Sequence, residues 1–413
     1  MISDNLWVEE TLKKLNLVKD MNQSNGFTRL GFSKEENEAK KEFQSIAKDL
    51  NLMTHEDAAG NCWALWEVDK AVPIVAMGSH LDTVYNGGGY DGVVGVLSAL
   101  TAVKRLKDKG FKPKKNIAII VFSCEESARF GISTVGSKAL TGLLDKNEVA
   151  NITDENGISV REAVNQSGLN WGKIEKASLD AEKIEQFIEV HIEQGKKLIN
   201  NKKEIGIVHR IARPTRFIIN CEGLTNHTGT TEMKDRQDAL TAISPLINGI
   251  EKTTNQINEK NASSLVATVS TFSVKPNAMN MIPGKVSLGI DIRSTDSSLK
   301  NELVDYIRSF VEKVKRSRNV AIKVNKIADD LPVELNEKIQ ENLFNSCNKV
   351  GFSNMKMNSG AGHDVMNMSH ICASGLLFIP CTEGISHNPR EYTSVSNILK
   401  GTKVLEQYLE DNF

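Results

Sequence analysis

Imidazole and carboxylate side chains collect where the apolar runs of this chain stop. The run Val72 to Met77 is followed by Gly78-Ser79-His80-Leu81-Asp82-Thr83, a glycine turn at Gly87-Gly88-Gly89, and Asp91-Gly92 at the start of a helical pattern. A second run, Asn116 to Phe122, leads into Ser123-Cys124-Glu125-Glu126; a third, Phe187 to Ile192, carries His191, and the segment after Ile379 reaches His387. Nitrogen and oxygen donors of this kind suit zinc, manganese, cobalt or nickel and exclude a soft thiolate site. Three histidines with Asp91 and Glu126 are enough for two ions if Asp91 bridges them, and a bridged pair polarises one shared water from both sides. Of the adjacent Glu125 and Glu126, one can ligate while the other stays free to take the water's proton and return it to a leaving amine.

Such a constellation works only if the backbone brings distant segments together. Val72 to Met77 and the β-branched run Asn116 to Phe122 read as buried strands, and Gly92 to Lys109 between them has apolar residues at helical spacing, with Gly110 as a stop. Strand, helix, strand in this order implies a parallel α/β layer. Phe187 to Ile192, Ile205 to Val208 and Gly375 to Ile379 read as further strands. In open sheets of this kind ligands bind beyond the carboxyl ends of the strands, which is where the polar residues fall. Ser33-Lys34-Glu35-Glu36 reads as a capping box opening a helix toward Leu52. From about Arg213 to Ala328 the rhythm changes to strand, helix (Lys234 to Ile257), two strands, helix (Ser297 to Lys315) and strand. The expectation is therefore a mixed, mostly parallel sheet with helices on both faces, formed by residues 1–212 and 329–413, and an inserted α+β domain, residues 213–328, with a four-stranded antiparallel sheet.

Composition narrows the partners. The 413 residues carry 51 Lys+Arg against 52 Asp+Glu, a formal net charge of −1. This gives no concentrated cationic face for a nucleic acid or a membrane surface, so a small molecule is the expected partner. The N-terminus lacks the basic and apolar regions of a secretory signal, and no stretch has the roughly 18 apolar residues of a membrane span, so a cytoplasmic location is expected. The six cysteines, at 62, 124, 221, 347, 372 and 381, form no CxxC pair and read as small buried hydrophobes. His55, His209 and His370 lack such a context and read as ordinary core or surface residues.

The segments GSHLDTVYNGGGYDG, CEESARFG, EVHIEQG, NHTGTTEM, PNAMNMIPG, DIRS, GAGHD and GISHNPRE, in this order, resemble the M20-type metallo-hydrolases, specifically their amidase, hydantoinase and carbamoylase branch. That branch includes N-carbamoyl-L-amino-acid hydrolase, β-ureidopropionase and allantoate amidohydrolase, and the resemblance spans essentially the whole chain. It implies two divalent ions per subunit, Zn2+ or Mn2+ with Co2+ or Ni2+ as alternatives. His80 and His191 would hold one, Glu126 and His387 the other, and Asp91 would bridge. It further implies Glu125 as general base, Asp82 orienting the His80 imidazole, and His227 stabilising the oxyanion, in relatives often from the partner subunit of a dimer. Arg293 would clamp a substrate carboxylate with Asn280 adding a donor. Gln194, Arg216, Gly360, Ala361 and His363, the last beside Asp364, would complete the pocket. Relatives usually read TTPM where this chain has Glu232.

The resemblance thus implies an amidohydrolase cleaving the carbamoyl C–N bond of a small ureido acid, with an N-carbamoyl-L-amino acid as first choice, and a homodimer through the inserted domain. Allantoate is the runner-up substrate. An aminopeptidase or dipeptidase is disfavoured by His191, where plain M20 peptidases tend to carry an acid. A catalytically silent relative is disfavoured because none of the six metal and base residues is missing.

Overall fold

The computed structural model describes residues 3–180, 182–261 and 264–413. The chain divides into two compact units, Met1–His209 with Leu335–Met357 and His363–Phe413, and Arg210–Glu334 with Asn358–Gly362. The strands in chain order are β1 (Met53–Glu56), β2 (Cys62–Trp66), β3 (Ile74–His80), β4 (Asn116–Phe122), β5 (Ile184–Ile192), β6 (Ile205–Ile211), β7 (Arg213–Glu222), β8 (Leu265–Lys275), β9 (Lys285–Ser294), β10 (Ala321–Asp329), β11 (Val333–Glu334), β12 (Asn354–Ser359) and β13 (Ala373–Ile379). The helices of twelve residues or more are α1 (Asp4–Leu15), α2 (Lys34–Asp49), α3 (Val93–Asp108), α4 (Ala239–Lys260), α5 (Ser297–Ser317), α6 (Glu337–Lys349) and α7 (Val395–Asn412). Among the described residues no helix is long and apolar enough to cross a membrane.

In the first unit the strands run in the order β1-β2-β4-β3-β5-β13-β6. The central pairs β4-β3, β3-β5 and β5-β13 are parallel, while β1-β2, β2-β4 and β13-β6 are antiparallel. Alternation sorts the central strands' side chains by face. Val75, Met77, Ile117, Ile119, Val121, Ile188, Val190 and Ile192 join one core with residues of α1, α2, α3, α6 and α7. The intervening positions of β5, Phe187, Glu189 and His191, are also buried, and they point to the opposite face. A second apolar cluster, including Phe130, Val135, Val160 and Ile174, belongs to the short helical segments that follow β4.

The second unit is a four-stranded antiparallel sheet in the order β10-β7-β9-β8. Phe217, Ile219 and Cys221 of β7 and Leu288, Ile290 and Ile292 of β9 share a core with α4 and α5. The intervening positions Arg216, Ile218, Asp291 and Arg293 therefore occupy the other sheet face. The unit starts before residue 213 and extends beyond 328 because Val333 and Glu334 of β11 pair with Ile211 and Arg210. Helix α4 begins at Ala239, not at Lys234, because Asp238 is its N-cap, accepting from the backbone N–H groups of Leu240 at 2.9 Å and Thr241 at 3.0 Å. The capping box expected at Ser33 is altered too. Ser33 Oγ accepts from Glu36 N at 3.1 Å, but the Glu36 carboxylate bonds Phe32 N at 2.6 Å and Cys124 N at 2.9 Å.

Candidate active site

Strand register brings the first two histidines together. Met77 of β3 pairs with Ile188 of β5, and counting on three residues along parallel strands sets His80 beside His191, whose ring centroids lie 6.0 Å apart. Each ring bonds a backbone carbonyl through Nδ1: His80 to Asp82 O at 3.0 Å, His191 to Ile192 O at 2.9 Å. A carbonyl only accepts, so both Nδ1 atoms carry the proton and both Nε2 atoms present a lone pair. Those Nε2 atoms face one oxygen of Asp91, Oδ1, at 3.8 Å from His80 and 2.9 Å from His191.

The other Asp91 oxygen faces a different group. His387 Nε2 lies 3.2 Å from Asp91 Oδ2 and 3.3 Å from Glu126 Oε1. Among the described residues, three sets of potential ligand atoms have all their atoms within 4.8 Å of one another: His80 with Asp91 and His191, Asp91 with Glu126 and His387, and Glu189 with His191 and His363; Asp91 is common to the first two. Glycines permit this approach: Gly92, at φ +67°, lies under the His80 ring, where a Cβ would come within 2.5 Å of it.

Glu125 and Glu126 follow β4 in a loop fixed from below. The Asp82 carboxylate accepts from the backbone N–H groups of Glu125 at 3.1 Å and Glu126 at 2.9 Å. Asp82, expected to orient the His80 imidazole, meets Nδ1 at two points: its carbonyl at 3.0 Å and its carboxylate Oδ1 at 3.5 Å. Glu36, in a buried ion pair with Lys40 at 3.1 Å, holds the N–H of Cys124 just before the pair. Burial pushes the Glu125 carboxyl well above the usual range, and Glu125 Oε2 lies 3.9 Å from His80 Nε2. Asp91 and then Glu126 raise His387 to about 11.

These residues fit divalent cations by their chemistry. Three carboxylates, Asp91, Glu125 and Glu126, are all buried beside three imidazoles whose Nε2 atoms converge on them. Uncompensated buried carboxylates are costly, and dications bound by nitrogen and oxygen donors remove that cost.

Two residues expected to contact substrate lie beside this cluster. The Gln194 amide donates to Asp91 Oδ2 at 2.7 Å, and its Oε1 is buried without a hydrogen-bond partner among the described residues. His363 is buried with its ring edge-on to His191, 4.5 Å between centroids. The other expected substrate and catalytic residues belong to the second unit. His227 sits in an exposed loop, where Nδ1 accepts from Gly229 N at 3.0 Å, leaving its proton on Nε2. Asn280 is exposed and its carbonyl accepts from Thr228 N at 3.2 Å. Glu232 pairs with Lys234 at 2.8 Å. Arg216 and Arg293 flank Asp291, donating through Nε at 2.7 and 2.9 Å, and Arg293 Nη1 lies 3.4 Å from the Gly360 carbonyl. Ala361 N donates to Ser359 Oγ at 3.2 Å.

Neither Asp291 nor Glu391 stands out in the sequence. Asp291 lies inside DIRS, two residues before Arg293, and Glu391 ends GISHNPRE, four residues after His387. In both cases the signal was a carboxylate within a motif already in view.

Known proteins resemble this chain over nearly its whole length. The profile of Peptidase family M20/M25/M40 matches residues 76–411. The chain is 34% identical over 381 residues to the N-carbamoyl-L-amino-acid amidohydrolase of Paenarthrobacter aurescens, covering 92% of each. It is 32% identical over 385 residues to the allantoate amidohydrolase of Bacillus subtilis, covering 93% of this chain and 92% of that one. The crystal structure of AtUAH in complex with (S)-hydroxyglycine superposes with a TM-score of 0.86 at 31% identity, covering 100% of this chain and 98% of the other. The chain belongs to peptidase family M20/M25/M40, in its hydantoinase/carbamoylase branch, and is an amidohydrolase.

Proposed function

We propose that this amidohydrolase is binuclear and cleaves the carbamoyl C–N bond of a small ureido acid, most directly an N-carbamoyl-L-amino acid. The observation that carries the reading is the division of Asp91, one oxygen toward His80 and His191, the other toward Glu126 and His387. His80 and His191 would hold one cation, Glu126 and His387 the other, with Asp91 shared; zinc or manganese suits these donors, as do cobalt and nickel. Cations bound there would supply Lewis acidity, making water nucleophilic near neutral pH and polarising the carbonyl.

The chain's own residues do the rest. Glu125, free of the ligand set, takes a proton from the attacking water and delivers it to the departing nitrogen. His227 donates from Nε2 to the developing oxyanion. Gln194 Oε1, a buried acceptor, receives a ureido N–H. Arg293, Arg216 and Asn280 would bind the substrate carboxylate, and Gly360, Ala361 and His363 would contact the substrate. Cleavage leaves the amino acid and a carbamate, which decays to ammonia and carbon dioxide.

Allantoate is the second reading, favoured by the near-equal identity to the Bacillus subtilis enzyme. We also propose a homodimer through the inserted unit. Strand β8 ends that unit's sheet, and Val266 and Phe272 on it are exposed, the kind of edge a second copy covers. Sedimentation showing only monomer would remove the dimer. The substrate test is ammonia release from N-carbamoyl-L-amino acids, β-ureidopropionate, allantoate and dipeptides, with manganese, zinc or cobalt supplied. Fastest release from an N-carbamoyl-L-amino acid supports the reading; cleavage of dipeptides alone overturns it.

A further inference from the structure

Asp91 and His387 both lie on loops, and neither is fixed by strand pairing. What ties the two loops is Glu391, whose residue is only 3% exposed. Its Oε1 accepts from the backbone N–H groups of Tyr90 at 3.1 Å and Asp91 at 2.9 Å. Its Oε2 accepts from the Ser386 hydroxyl at 2.7 Å and the backbone N–H of His387 at 3.2 Å. Ser386 Oγ also lies 3.1 Å from Asp91 Oδ2, and its single proton serves one carboxylate at a time. One side chain thus sets both backbones that deliver the shared carboxylate and the half-exposed histidine. His387 has φ +56°, a left-handed conformation that needs such support. The glycine turn is built around the same group: a Cβ on Gly88 would lie 2.2 Å from Glu391 Oε1.

We propose that Glu391 is a positioning residue for the cation site formed by Asp91, Glu126 and His387, holding the two loops at the spacing that lets Asp91 serve both sites. The inference rests on the binuclear reading above. Glu391→Gln replaces one acceptor oxygen with a donor that faces N–H or O–H donors at either end. Glu391→Asp keeps the charge but is one methylene short of spanning both loops.

The test is titration of the chelator-stripped full chain with Co2+, following the visible cobalt spectrum, alongside melting of the metal-free proteins. Wild type is expected to take two equivalents. In both variants the first equivalent is expected to bind as in wild type and the second to weaken by roughly 10- to 100-fold, with little change in metal-free melting. Two equivalents bound as tightly in Glu391→Gln as in wild type would overturn the inference, as would full recovery in Glu391→Asp or equal loss of both equivalents with a lowered metal-free melting temperature. Failure of wild type to take two equivalents would overturn the binuclear reading itself.

Discussion

His80 and His191 stood out in the sequence because each lies at or near the end of an apolar strand, but the tautomer of each ring was not legible. That depends on which carbonyl meets Nδ1, a matter of loop path. Glu125 and Glu126 point to different histidines: Glu126 Oε1 meets His387 at 3.3 Å while Glu125 Oε2 faces His80 from 3.9 Å. Glu125→Gln removes the proton carrier and leaves every proposed ligand in place. Turnover is expected to fall by about 100- to 10,000-fold, with metal content by elemental analysis unchanged; normal turnover would take Glu125 out of the mechanism. Asp291 shows what spacing alone misses. Burial works against its carboxylate, but Arg293 and then Arg216 hold it below its ordinary value. A depressed carboxyl contributes stability that is present above the unfolded value and lost as pH falls through the folded one. Wild type is therefore expected to lose urea resistance relative to Asp291→Asn as pH falls from about 5 to about 2. Parallel curves for the two proteins across that range would show that the arginines do not stabilise the ionised form.

At the scale of elements, continuous β-branched runs were the clearest text: Asn116 to Phe122 is β4 to the residue. Strands β1, β2, β11 and β12 were not read: β1 is only MTHE, β11 only two residues, and the alternation in NMKMNS rests on two methionines. The start of α4 was placed at Lys234, ahead of the cap at Asp238 that opens the helix at Ala239. The glycine-rich stretch was legible as a turn suited to a metal, but its packing partners were not, because Glu391 lies some three hundred residues away. Gly92 joins this turn to α3 at φ +67° with the His80 ring against it. Gly92→Ala would meet both left-handed strain, about 1 to 2 kcal/mol, and a steric overlap with a proposed ligand. A lowered melting temperature together with weaker metal binding is expected; a variant that melts and binds like wild type would mean the helix start shifts freely.

Across the whole molecule, the two-unit organisation was legible from the change of rhythm near Arg213, while its borders were set by the β6-β11 pairing that no motif marks. The proposed bridged site would draw His80, Asp91, Glu126, His191 and His387 from segments that only the folded chain brings together. Cations bound there would stabilise the native state by mass action, about 2.7 kcal/mol per site when free metal is 100-fold above the dissociation constant. Chelation is expected to lower the melting temperature and abolish ammonia release, and manganese or zinc to restore both; a melting temperature indifferent to chelator would contradict linkage of metal to folding. The most direct test of the bridged pair is anomalous diffraction from crystals of the manganese- or zinc-loaded enzyme. The account predicts two peaks on either side of Asp91, one against Oδ1 with His80 and His191, the other against Oδ2 with Glu126 and His387. A single peak, or two peaks that do not share Asp91, would contradict it.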